Sequence, residues 1–148
     1  DFGLYAVNSL RIEKGYRGWG AELTNEVTMI DADMERFLKL DKDEFTGKAA
    51  TLAQDKNART LQLIYFEVDA TDSDVRGNEP IFSGDNAIGL TTSGGFGHYT
   101  KKSLGFGYVP PPLSAPGTIL QVGLLGERRN ITVIKDPAHD PANERLRA

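Results

Sequence analysis

The sequence predicts an α+β chain, with helices in its first third and an antiparallel β unit in the remainder. Three observations carry this. Before residue 55, apolar residues recur at helical spacing. After residue 59, the apolar runs are rich in β-branched and aromatic residues. Those later runs are separated by glycine and proline signals at intervals of roughly 8 to 12 residues, the mark of a sandwich or a small barrel. The chain is therefore expected to divide near residues 55–59.

Phe2, Ala6 and Leu10 step by four, with Leu4 and Val7 beside them, which predicts an opening helix. Gly15 supplies the left-handed residue that ends it. YRGWGAELTNEV reads as a loop or short extended piece holding the only Trp. Thr28 and Asp31 resemble a capping box with Asp in place of Glu. Ile30, Met34, Phe37 and Leu38 then follow the pattern of a second, amphipathic helix. A third helix is expected from Gly47 to about Gln54, with Thr46 as its cap. TLQLIYFEV opens the β unit, and DATDSDVRGNEPIF is rich in turn residues. Further short strands follow in NAIGLTTSGGFGHYTKKSLGFGYV, GTILQVGLLG and RRNITVIKD. VPPPLSAPG is a rigid connector, because proline fixes the backbone and donates no hydrogen bond. Runs such as LQLIYFEV and ILQVGLL need burial on at least one face, so residues 59–135 should form a closed or nearly closed antiparallel unit. The polar tail DPAHDPANERLRA should lie on the surface.

The 148 residues, 39% hydrophobic and 26% charged, have globular composition and suffice for a core. The net charge of −4 argues against a nucleic-acid partner, since no basic stripe is available to track phosphates. No apolar run approaches the roughly 20 residues that span a bilayer, which argues against a membrane helix. The absence of cysteine excludes disulfides, zinc ribbons, iron–sulfur clusters and a thiol nucleophile. The first residue is Asp1 and the sequence opens as if within a helix. A piece of a longer protein is the expectation, with a processed mature chain as the competing case.

Few motifs carry chemistry. SGGFGHYTKKS lacks the Gly-Lys-Ser/Thr ending of a P-loop and no helix follows it, so a glycine-rich hairpin between strands is expected. His98 and His139 stand 41 residues apart with no paired ligand spacing, and no metal site is predicted. Asp31 and Asp33 do not share a helix face and make a poor catalytic pair; no catalytic residue is assigned. Glu13 is the exception. A carboxylate in the last helical turn opposes the macrodipole by about 0.3–1 kcal/mol, so something should offset it. Two readings stay open: a surface charge paired with Lys14 or Arg17, or a ligand-binding carboxylate beside a flat wall from Tyr16 and Trp19.

Five blocks occur in order: SLRIEKGYRGWGAELTNEVT, RFLKLDKDEFTGKAA, TSGGFGHYTKKSLGFGYVPP, PGTILQVGLLGERR and DPANERLR. Together they resemble the C-terminal part of the glycine-cleavage aminomethyltransferase (T-protein) family. The resemblance extends in particular to the version fused to FAD-dependent dimethylglycine and sarcosine dehydrogenases or oxidases, where the signature reads roughly S-L-R-x-E-K-G-Y-R-x-W-G. It implies that residues 1–56 are the C-terminal portion of a folate-binding domain and that residues 57–148 are a Greek-key β-barrel. It implies tetrahydrofolate as the acceptor of a one-carbon unit from a small methylated amine, with FAD in a preceding half of the parent chain. The family's pterin-holding glutamate falls on Glu13. Arg11, Tyr16 and Trp19 lie in the same block and are expected to bind the folate with it. Lys42 takes the place of a basic residue that helps hold the folate, acting as a point charge without the bidentate fork of Arg.

The family's catalytic Asp would lie upstream, and its C-terminal folate-pocket Tyr has no counterpart in DPAHDP, where only His139 stands nearby. The chain is thus expected to pack against the rest of a parent and to turn over nothing alone. A bacterial cytoplasmic or mitochondrial-matrix location is expected. The rival expectations are a stand-alone aminomethyltransferase and a non-catalytic folate-binding module. The KGYRGWG wording leans toward the flavin-linked form.

Overall fold

The computed structural model describes residues 1–54, 59–135 and 137–148. Its β unit comprises β1 (Gln62–Val68), β2 (Pro80–Ser83), β3 (Asn86–Gly97), β4 (Lys102–Val109), β5 (Ile119–Leu124) and β6 (Glu127–Ile134). All pairings are antiparallel, and the strands close into a barrel in the order β1-β4-β3-β2-β5-β6. β2, β3 and β4 form a meander, and β1 lies against its far edge beside β4, which is a Greek-key arrangement. The expected glycine-rich hairpin is β3–β4, turning through residues 98–101. VPPPLSAPG carries a 3₁₀ turn, Pro111–Leu113, between β4 and β5.

Side-chain alternation divides the core into two layers. Ile64, Phe66 and Val68 of β1 point inward and join Val75, Ile81, Val122, Ile131 and Val133 in the barrel interior. Leu63 and Tyr65 point outward and pack with Ile12, Leu104, Phe106 and Tyr108 beneath the helical segment. Residues 103–109 of β4 are buried on both faces, because the barrel fills one side and the helical segment covers the other. That outer layer ties the first helix to the barrel.

The first helix forms as expected: α1 spans Leu4–Glu13. Gly15 is left-handed at φ +65°, with Gly15 N–H donating to Ile12 O at 3.0 Å and Tyr16 N–H to Arg11 O at 2.9 Å. This pair of bonds is the Schellman closure. The apolar residues that define α1 in the sequence do not form its docking face. Leu4 is 85% and Leu10 58% exposed, and only Ile12 and Glu13 of the helix are buried. α1 instead meets β3 through polar side chains: Asn8 Nδ2 donates to Gly94 O at 2.9 Å and Ser9 Oγ to Phe96 O at 2.7 Å.

The second helix is not present. The capping box closes, with Thr28 N–H and Oγ1–H donating to Asp31 Oδ2 at 3.0 and 2.7 Å. One turn then ends at Asp33, which is left-handed at φ +55°, and only a 3₁₀ turn, Glu35–Phe37, follows. The reason is competition for carbonyls. Helix propagation would need Asp31 O, Ala32 O and Asp33 O as acceptors. Leu63 N–H takes the first at 2.8 Å, Arg17 Nε the second at 3.3 Å and Arg17 Nη2 the third at 3.3 Å. The third helix forms as α2 (Lys48–Ala53), but its N-cap is Gly47 at φ +89°, with no side-chain cap bond, so Thr46 does not cap it. Of the expected division at residues 55–59, all but Arg59 lies outside the described residues.

Candidate functional site

The Schellman turn at Gly15 ends α1 just above the β3–β4 hairpin and places Glu13 against it. Residues 98–101 form a compact turn, with Lys101 N–H donating to Gly97 O at 2.8 Å and Lys101 left-handed at φ +59°. Successive N–H groups of such a turn converge into an anion-binding concavity. Glu13 fills it: Oε1 accepts from Tyr99 N–H at 2.9 Å and from Thr100 N–H at 2.7 Å. Gly97 makes this approach possible. A Cβ there would stand 2.7 Å from Glu13 Oε1 and 2.8 Å from Glu13 Cγ.

This seat answers why a carboxylate ends the helix. Hydrogen bonds to a charged group contribute about 1.5–3 kcal/mol each, and two of them outweigh the opposing macrodipole term of about 0.3–1 kcal/mol. The offset comes from the protein's own backbone. Glu13 is 2% exposed and pairs with neither Lys14 nor Arg17, so it is not a surface charge. Lys14 pairs with Asp140 and Arg17 with Asp33.

Both bonds fall on Oε1, and no hydrogen bond from a described residue falls on Oε2. Among the described residues, Arg129 Nε is the one buried side-chain nitrogen or oxygen without a partner. Oε1 is anchored, and Oε2 keeps acceptor capacity that no described residue uses.

The remaining sequence-predicted residues are only partly brought together. Arg11 is turned inward: Nη1 donates to Glu22 Oε2 at 2.9 Å and to Tyr16 O at 3.1 Å, and Nε to Asn8 Oδ1 at 3.0 Å. Tyr16 and Trp19 are exposed, Trp19 by 86%. Lys42 is exposed, and its carbonyl accepts from Lys48 Nζ. No hydrogen bond or ion pair joins Lys42 or Trp19 to Glu13 among the described residues. His98 and His139 do not meet as a pair; His98 lies edge-on to Phe96 and His139 to Tyr99.

Sequence reasoning missed Glu22. It is fully buried, with Oε2 accepting from Arg11 and from Gly18 N–H at 2.6 Å and Oε1 from Thr92 Oγ1 at 2.7 Å and Ser93 Oγ at 2.5 Å. Tyr108 donates its hydroxyl to Glu22 O at 2.8 Å. Glu22 ties α1, the 18–23 loop and β3 together, and no local pattern marks it. Burial, foremost, raises the Tyr65 and Tyr108 hydroxyl pKa values above that of an ordinary tyrosine, with the Glu13 and Glu22 charges adding to it. Tyr65 remains a donor, to Ile12 O at 2.8 Å, which fixes the last turn of α1 over the barrel.

Two open grooves flank the site. One of about 870 Å³ is lined by Tyr5, Asn8, Arg76, Phe96 and His98 among others. The other, about 730 Å³, includes Lys14, Tyr16, Arg17, Tyr65 and Asn143 in its wall. Glu13 lines neither. Among the described residues no helix is long and apolar enough to cross a membrane.

Comparison with known proteins gives consistent results. Residues 62–140 match the glycine cleavage T-protein C-terminal barrel domain, and residues 1–42 match the GCVT N-terminal domain. Mitochondrial dimethylglycine dehydrogenase from Mus musculus is 39% identical across 99% of this chain, which spans 17% of that enzyme. The aminomethyltransferase of Synechocystis is 31% identical, over 90% of this chain and 36% of its own length. The crystal structure of glycine cleavage system aminomethyltransferase T from Bartonella henselae superposes with a TM-score of 0.83 at 28% identity, covering 92% of this chain and 38% of that one.

Proposed function

Because the chain belongs to the glycine cleavage T-protein family, we propose that it is the C-terminal portion of a tetrahydrofolate-dependent, demethylating amine oxidoreductase of the dimethylglycine or sarcosine dehydrogenase kind. The observation that carries this reading is the 39% identity to a dimethylglycine dehydrogenase along 99% of the chain, against 31% along 90% for an aminomethyltransferase. That relative is a mitochondrial enzyme, which accords with a mitochondrial-matrix setting, and a bacterial cytoplasm is the counterpart.

Folate fits the residues present. A pterin edge offers N–H donors, and Glu13 Oε2 is an anionic acceptor whose plane is held by the two bonds on Oε1. The grip is therefore through one oxygen, not both. Tyr16 and Trp19 supply exposed aromatic surface on the same segment, and Lys42 an exposed cation for a folate carboxylate. Arg11 acts indirectly, holding the helix end through Glu22. Folate supplies the nitrogen that accepts the one-carbon unit; Glu13 binds and orients its ring. FAD does not fit here. Gly94, Gly95 and Gly97 belong to β3 and are followed by a turn and strand, so there is no helix N-terminus to receive a pyrophosphate. Flavin chemistry and the methylated amine belong to the remainder of the parent protein. The uncovered apolar side of α1, within the segment that matches the GCVT N-terminal domain, is the surface on which that remainder packs.

A stand-alone aminomethyltransferase is the second reading, favoured by the structural likeness to the Bartonella protein. Flavin absorbance of the purified full-length protein separates the two. The folate role is tested by Glu13→Gln in that protein. Gln keeps the size but turns an N–H₂ toward the pterin donors, so folate affinity should fall by about 1.5–3 kcal/mol in calorimetric titration. Amine-dependent flavin reduction should persist, and the one-carbon unit should appear as formaldehyde. Equal affinities for folate would remove Glu13 from the site.

A further inference from the structure

We infer that residues 137–147 form a strap that positions Glu13, with Lys14 as its clasp and His139 as its contact with the turn that holds the carboxylate. This rests on reading Glu13 as the pterin acceptor. The tail was expected merely to lie on the surface, but its contacts converge on Glu13 and the two residues that follow it. His139 N–H donates to the Glu13 main-chain O at 2.9 Å. Pro137 packs over Gly15, 3.4 Å from where a Cβ would stand. Lys14 Nζ donates to Asp140 O at 2.7 Å, Asp140 Oδ2 at 3.3 Å and Asn143 Oδ1 at 2.7 Å. Three acceptors around one ammonium, itself mostly buried, make a closed clasp rather than an exposed ion pair.

The strap also grips the other half of the Glu13 seat. The His139 ring lies 4.5 Å from that of Tyr99, whose N–H is one of the two donors to Oε1. The Arg145 guanidinium also lies over the Tyr99 ring, 5.2 Å from its centroid. The strap is rigid in itself: Asp140 Oδ1 accepts from Glu144 N–H at 2.8 Å and Arg145 N–H at 3.3 Å, while Asp140 and Asn143 are left-handed. Desolvation pulls the Asp140 carboxyl upward, but the Arg145 amide, Lys14 and the Glu144 amide hold it below the ordinary carboxylate value, so the clasp stays charged at neutral pH. The helix end and the turn that together orient Glu13 come from residues 86 apart in sequence. The tail is the segment that touches both. Lys14 and His139 are positioning residues, acting through Glu13 and Tyr99.

The test uses Lys14→Met and the conservative Lys14→Arg in the full-length protein, read by amide hydrogen exchange and by folate titration. In Lys14→Met, exchange in the 97–101 turn should accelerate while β1 (62–68) keeps its protection. Folate affinity should fall about tenfold, the scale of one lost charge-assisted contact, and Lys14→Arg should restore both. His139→Ala should repeat the exchange effect at the turn. Unchanged exchange at 97–101 in Lys14→Met overturns the inference. So does acceleration spread equally over turn and strands, which would make the tail a general stabiliser. An intact exchange effect with a Glu13→Gln variant of unaltered folate affinity would leave the strap standing and remove the folate reading instead.

Discussion

Gly97→Ala is the sharpest probe of the Glu13 seat. The substituted Cβ would lie 2.7 Å from Glu13 Oε1, 2.8 Å from Glu13 Cγ and 2.5 Å from Thr100 Oγ1. Thr100 can turn its hydroxyl away. Glu13 cannot yield without leaving the Tyr99 and Thr100 N–H groups. Losing two hydrogen bonds to a charged group is worth about 3–6 kcal/mol before rehydration. Tyr99 is exposed and Thr100 half-buried, so their N–H groups and the displaced carboxylate regain water, and a net loss of about 2–3 kcal/mol is expected. Urea unfolding followed by circular dichroism measures it; fluorescence is a poor probe because Trp19, the only tryptophan, is 86% exposed. A double-mutant cycle with Glu13→Ala isolates the cause. With the carboxylate gone the added methyl meets little, so the two changes should couple by about 2 kcal/mol. Additivity within about 0.5 kcal/mol would refute the steric link between Gly97 and Glu13.

Glu22→Ala should destabilise the chain by about 3–5 kcal/mol in the same assay, because it strands a largely buried Arg11 and unties three segments; a loss below about 1 kcal/mol would make Glu22 an ordinary polar group. The raised pKa of Tyr65 has a definite sign. The folded state keeps its proton where the unfolded chain gives it up, so stability should fall as pH rises past the ordinary tyrosine value of about 10. Tyr65→Phe should flatten that decline, with Tyr108 accounting for what remains, and should cost about 1 kcal/mol at neutral pH through the lost bond to Ile12 O. The purified chain, without added flavoprotein, should oxidise neither dimethylglycine nor sarcosine; measurable formaldehyde release would show that the chemistry had been placed in the wrong part of the protein.

The barrel was legible in the sequence because a strand buries its faces by a rule of period two. LQLIYFEV, ILQVGLL and the glycine-rich hairpin carry that rule within a few residues, and the family blocks in order supplied the Greek key. The end of α1 was legible for a similar reason: a Schellman turn needs one left-handed residue, and Gly15 is a local signal. The second helix shows where local signals stop. Its capping box and apolar spacing were real, but Arg17 and Leu63 took the carbonyls its next turn required. The apolar spacing of α1 misled in the opposite direction, since Asn8, Ser9, Ile12 and Glu13 meet the barrel while Leu4 and Leu10 do not. Glu13 itself could be singled out from its position and from the family blocks. That one oxygen sits in a backbone turn 86 residues away, that Glu22 binds α1 to β3, and that the tail clasps Lys14 were decided by tertiary structure alone. Periodicity and capping are properties of neighbouring residues. The partner of a buried charge is chosen by whichever distant backbone the fold brings within hydrogen-bonding reach.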